Sequence, residues 1–241
     1  MTDLSQQQSR SEFWQKRWDN MAKSTSQFAT MGRSSYTITD YFAYLSDIVK
    51  GLDGVDRDTE LLDAAGGCGY LSMYFSPLVK SIDLFDYAEE AIKRAKQDCA
   101  PFANINSYVD NLLALDHTKS MGKQYKKILV GGPLQYFDNY DEIELILANL
   151  FDVTAVGGRV FVSQTTDAAK KDAHIQSYDR LDWTDEEKRS AIEEELSNRF
   201  WIDFPRLKTL AHKVGFSVCE QTEINPQLFQ STHMFDFYLI K

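Results

Sequence analysis

Apolar positions recur at helical spacing through the first fifth of the chain: Phe13, Trp14 and Trp18, then Phe28, then Tyr41, Phe42, Leu45, Ile48 and Val49, before Gly51 and Gly54 close the run. After it, short apolar runs at 61–64, 81–86, 105–109, 127–131 and 159–163 alternate with helical patterns at 88–99 and 141–153, the latter stopped at Gly157 and Gly158. Strands separated by helices predict βαβ units and a parallel sheet. Thr184 and Glu187 form a capping box for a charged helix to about Arg199, and Asp203 with Pro205 opens another that Gly215 ends. Two closing strands, 216–224 and 235–240, are joined by a loop too short for a crossover, so they are antiparallel neighbours. The chain divides into an N-terminal helical cap, 1–58, and an α/β core, 59–241, with a helical insertion near 167–202.

At 241 residues the chain suits one such core, and 43% hydrophobic with 26% charged residues suits a compact globule. Lys and Arg number 26 against 36 Asp and Glu, and the resulting net charge of -10 argues against nucleic acid and anionic membrane surfaces as partners. Cys68, Cys99 and Cys219 are odd in number and lack CxxC spacing, so neither a disulfide framework nor a metal site is expected. With no apolar leader and no spanning stretch, the expectation is a cytoplasmic protein.

The candidate chemistry lies where the first strand meets its glycines, in Asp63-Ala64-Ala65-Gly66-Gly67-Cys68-Gly69. Residues without a Cβ let backbone approach a ligand closely, and the carboxyl end of a strand is where open α/β sheets bind small molecules. The second strand ends at Asp86, where a carboxylate can accept two hydrogen bonds from a ribose. Asp83 competes for that role, but Asp86 stands where strand gives way to helix.

Asp63-x-Ala65-x-Gly67-x-Gly69 is similar to the acidic glycine-rich motif of class I S-adenosylmethionine-dependent methyltransferases, and the closing strand pair resembles theirs. The resemblance implies a Rossmann-like, mostly parallel seven-stranded sheet with an antiparallel last strand and helices on both faces. It also implies S-adenosylmethionine as cofactor, held by Asp63, Ala65, Gly66, Gly67, Gly69, Asp86, Asp110, Asn111 and Gly131. Ala65 departs from the motif's first glycine; its methyl is tolerated if the residue keeps strand-like dihedrals. A dinucleotide is the rival cofactor, but Gly67-x-Gly69 is followed by Ser72 where the third glycine of that fingerprint belongs.

Methyl transfer from a sulfonium asks the protein to orient an acceptor and exclude water, and a hydroxyl acceptor also benefits from a base. His174 and His233 follow strands that deliver them to the carboxyl rim and are the candidate catalytic residues; His117 and His212 are placed peripherally. Gln135 and Tyr136 border the acceptor, and Trp14, Trp18 and Tyr36 are candidates for an aromatic cap. The Glu193-Glu194-Glu195 run reads as a solvated face. The expected activity is methylation of an O or N atom of a small molecule, natural-product or sugar-like, by a monomer or homodimer. A catalytically inactive cofactor-binding subunit and an NAD-dependent oxidoreductase are the alternatives.

Overall fold

The computed structural model describes residues 10–180 and 182–241; residues 1–9 of the cap segment and Leu181 of the insertion lie outside the described residues. The elements in order are α1 (Arg10–Met21), α2 (Gln27–Thr30), α3 (Ile38–Leu52), β1 (Glu60–Ala64), α4 (Tyr70–Phe75), β2 (Ser81–Asp86), α5 (Glu89–Asp98), β3 (Ile105–Val109), α6 (Asp116–Ser120), β4 (Tyr125–Val130), α7 (Tyr140–Val153), β5 (Thr154–Thr166), α8 (Lys171–Ser177), α9 (Asp185–Asn198), α10 (Phe204–Val214), β6 (Val218–Thr222) and β7 (Met234–Ile240). The strands form one sheet in the order β3-β2-β1-β4-β5-β7-β6, in which β7 alone runs antiparallel to its neighbours. This is the mixed α/β architecture the strand and helix alternation predicts.

Burial follows strand position. The central strands β1, β2 and β4 end in consecutive buried residues, as strands covered on both faces must. One apolar cluster joins α7 and α10 to one face of the sheet, and the other packs α3, α4 and α5 on the opposite face. α3 is therefore part of the core. It opens on a Thr37–Asp40 capping box, and its Gly51 lies so close to the sheet that a Cβ would meet the Phe161 ring at 2.1 Å.

α1 and α2 overlie the carboxyl edge instead. α1 is tied to the core by Asp19, whose carboxylate accepts from the Glu90 N–H at 3.0 Å and so caps α5, which has no cap of its own. Its other end is pinned by Arg10 to Asp138, and Arg17, closer to Asp19, pairs with Glu194 of α9.

Gly157 and Gly158 do not stop a helix. α7 runs straight into β5, and the glycines form an irregularity inside that strand, where a Cβ on Gly158 would meet the Ala155 carbonyl at 2.7 Å. Among the described residues no helix is long and apolar enough to cross a membrane.

Candidate active site

β1 is flanked by β2 on one side and β4 on the other, so the chain leaves it in opposite directions and a crevice opens at its carboxyl end. The loop there turns through left-handed backbone at Ala65 (φ +57°), Gly67 (+57°) and Gly69 (+83°). Strand-like dihedrals at Ala65 are thus not observed. The chain reverses at this residue so that the Gly66 N–H can donate to the Phe85 carbonyl at 3.0 Å, fastening the loop to β2. For an L-residue this geometry costs about 1–2 kcal/mol. At Gly67 nothing lies within 4 Å of where a Cβ would stand, so the backbone faces open crevice.

Two buried carboxylates flank this loop. Asp63 is fully buried; its Oδ2 accepts from the Ser72 hydroxyl at 2.6 Å, while its Oδ1 has no partner. Burial, only partly offset by Ser72, pushes its carboxyl up to about 6. Asp86 accepts from Gly67 N–H at 3.0 Å and from Ala88 N–H at 2.9 Å, and burial raises it also to about 6. Both acids line a cleft of about 680 Å³ with Thr30, Met31, Arg33 and Trp18 from the cap side. Asp83 is engaged elsewhere, by Lys123, Tyr125 and Asn106, and does not line the cleft.

A second lobe, of about 360 Å³, continues past the Ala65 methyl between Phe85, Tyr87, Pro133 and Phe137. Asp110 and Asn111 line it, but their side chains are engaged by neighbouring residues of the chain. Asp110 accepts from Asn111 N–H and from both the N–H and hydroxyl of Thr118, and Asn111 caps Leu113. Four aromatic rings, Phe85, Tyr87, Tyr136 and Phe137, line the lobe with Leu112 and Pro133.

On the far side of Gly131, Arg33 and Tyr136, which also wall the cleft, lies a third cavity of about 820 Å³. His174 of α8 and His233, just before β7, stack inside it with ring centroids 4.0 Å apart. Both are held neutral: burial and Arg199 push His174 down to about 4, and burial, His174 and Arg199 push His233 down to about 3. Neither His174 nitrogen has a hydrogen-bond partner, nor does Oε1 of buried Gln135, which faces the same space. Polar atoms left without partners beside a polar cavity are bonds for a ligand or a water to complete.

The aromatic candidates separate. Trp18 lines both the cleft and the cavity, whereas Trp14 stacks on Tyr136 at 4.2 Å and donates its indole N–H to Asn198 O, bracing α1 against α9 at the cavity's edge. Tyr36 lines neither. It stands behind the wall, accepting from Gln164 and donating to Gln230. His117 packs on Tyr108 and His212 contacts the Phe216 carbonyl, both away from the site. The glutamate run is not a uniformly solvated face, since Glu195 turns inward to Arg199 at 2.9 Å and Glu194 pairs with Arg17. Sequence reasoning missed Arg33, Gln164, Glu195 and Arg199.

No protein-family model matches the chain, and no curated protein does. Solved structures do. An N-methyltransferase, NodS of Bradyrhizobium japonicum, with bound S-adenosylhomocysteine shares 11% identity over 94% of this chain and 97% of its own, at a TM-score of 0.63. Magnesium protoporphyrin IX methyltransferase of Synechocystis, with bound S-adenosylmethionine, is 12% identical and covers 100% of both chains, at 0.63. A TehB-like S-adenosylmethionine-dependent methyltransferase of Corynebacterium glutamicum is 20% identical over 96% of this chain and 97% of its own, at 0.54. The chain therefore has the Rossmann-like fold of the class I methyltransferases.

Proposed function

We propose that this protein is an S-adenosylmethionine-dependent methyltransferase acting on an O or N atom of a small molecule. The observation that carries the reading is the unpartnered Oδ1 of Asp63 in a cleft that Asp86 also lines and that continues into a lobe rich in aromatic rings. A buried carboxylate oxygen with no donor fits an ammonium, Asp86 fits a ribose diol, and the lobe beyond Ala65 fits adenine. The three structural neighbours named above point the same way.

When bound, the cofactor supplies an electrophilic methyl group. Gly131, Arg33 and Tyr136 wall both the cleft and the acceptor cavity, so an acceptor held there faces the cleft across them. Trp18 excludes water from the junction. His174 and His233, kept neutral, are the groups positioned to take a proton from the acceptor, and Gln135 orients it. Ala65 in a strained conformation favours a second reading, an inactive cofactor-binding subunit.

Calorimetry with S-adenosylmethionine and S-adenosylhomocysteine tests the cofactor, and binding of neither removes both readings. Labelled-methyl turnover against a panel of small hydroxyl and amine compounds separates enzyme from inert binder.

A further inference from the structure

The acceptor cavity is lined by three arginines, Arg17, Arg33 and Arg199, against one acid, Glu195, in a chain of net charge -10. Two of the cations are compensated, Arg17 by Glu194 and Arg199 by Glu195. Arg33 forms no ion pair among the described residues. One of its terminal nitrogens donates to the Met31 carbonyl and the other to Gln164 Oε1, while its Nε is shut off from solvent with no partner. Its guanidinium rests on Tyr44, 4.3 Å from the ring centroid. Asp236 is joined to it through Gln164, whose backbone N–H it accepts at 2.6 Å, and the Arg33 charge acts on that carboxyl without pairing with it. Burial pushes that carboxyl up to about 7, so its charge is incomplete at neutral pH.

A partly buried guanidinium without a counter-ion is costly unless a ligand brings one. Gln164 lines the acceptor cavity and not the cofactor cleft, and it holds the guanidinium toward that side. Resting on the methyltransferase reading, we propose that the acceptor is an anion, and that Arg33 is the specificity residue that binds its carboxylate or equivalent oxyanion in the cavity beside His174 and His233. Burial is the main cause that holds the two histidines neutral, and Arg199 adds to it, so the side chains of the cavity supply no anion for Arg33 beyond Glu195.

The test uses the full chain saturated with S-adenosylhomocysteine, with the ring resonances of His174 and His233 followed by NMR and assigned through His→Gln variants. Benzoate and its neutral counterpart benzamide are the probes. Benzoate is expected to shift both resonances saturably, with affinity falling about tenfold or more in Arg33→Gln and less far in Arg33→Lys, which keeps the charge but not the fork, while benzamide leaves them unmoved. Equal responses to acid and amide, no response to either, or a benzoate response indifferent to Arg33→Gln overturns the proposal. Thermal unfolding verifies that both variants fold, and Arg33→Met, with the same loss of affinity expected, carries the test should Arg33→Gln not.

A second arm asks whether the guanidinium serves the cofactor's own carboxylate instead. Arg33→Gln is expected to bind S-adenosylhomocysteine and 5′-methylthioadenosine, which lacks that carboxylate, as the parent does. Weakened binding of the first alone assigns Arg33 to the cofactor and overturns the proposal. If the parent binds neither nucleoside, the methyltransferase reading fails; the benzoate arm, run without nucleoside, still decides the anion site.

Discussion

At Ala65 the chain keeps a methyl group where the backbone is left-handed, and that methyl stands at the junction of the two lobes of the crevice. Ala65→Gly relieves the strain but gives back entropy to the unfolded chain, so a net gain of about 0.5 kcal/mol in denaturant melts is expected. A loss of stability would show that the methyl contributes packing that outweighs its strain. Asp63 carries the other residue-level consequence. Its carboxyl titrates at about 6 in the fold, above the ordinary value of 3.8, because burial penalises the charged form. The folded state therefore favours the protonated acid: its contribution to stability is full below about pH 4 and is lost as pH rises through about 6. Asp63→Asn escapes that loss and is expected to exceed the parent by about 3 kcal/mol at pH 7, with the gap closing toward pH 4. The same variant should bind S-adenosylhomocysteine more weakly at pH 7. Identical stabilities at both pH values would contradict the burial argument.

At the scale of elements, α1 acts as a strap. Its contacts reach α5 through Asp19, the rim turn through Trp14 on Tyr136, and α9 through Trp14 and Arg17. α9 has no fully buried residue and is charged all round, so its position depends on this strap more than on an apolar face of its own. Trp14→Ala removes a buried ring and the indole bond, and is expected to loosen the strap by about 2–3 kcal/mol while leaving the sheet intact. Amide hydrogen exchange should then quicken by roughly 30- to 100-fold in α1 and α9, with β1 and β4 still protected. Uniform acceleration across the chain would mean that Trp14 supports the global fold instead.

For the whole molecule, a ligand that binds only the folded chain stabilises it by mass action. S-adenosylhomocysteine at about a hundredfold excess over its dissociation constant should add about 2.7 kcal/mol, roughly 5–10 °C in Tm for a chain of this size. An unchanged Tm at saturating nucleoside would remove the cofactor assignment. The sheet was legible in sequence because each parallel strand is a short apolar run with its own boundaries; 81–86 and 105–109 coincide with β2 and β3. Gly157 and Gly158 misled because a bulge and a helix stop both select glycine, and only the partner strand distinguishes them. The cofactor loop is local in sequence and could be read there. Arg33, Gln164, Glu195 and Arg199 come from four separate segments and meet only after folding, so no spacing announces them.

One cation set in an acidic molecule has a consequence for encounter rates. Far from the mouth a small anion meets the repulsion of the net charge of -10, and attraction takes over only close to the arginines of the cavity. Raising ionic strength shortens the reach of that outer repulsion from about 30 Å at 0.01 M to about 10 Å at 0.1 M. Added salt should therefore speed the capture of an anionic acceptor before it begins to weaken its hold. The sulfonium cofactor, a net cation, is drawn inward by the same shell that lets its net-neutral product go.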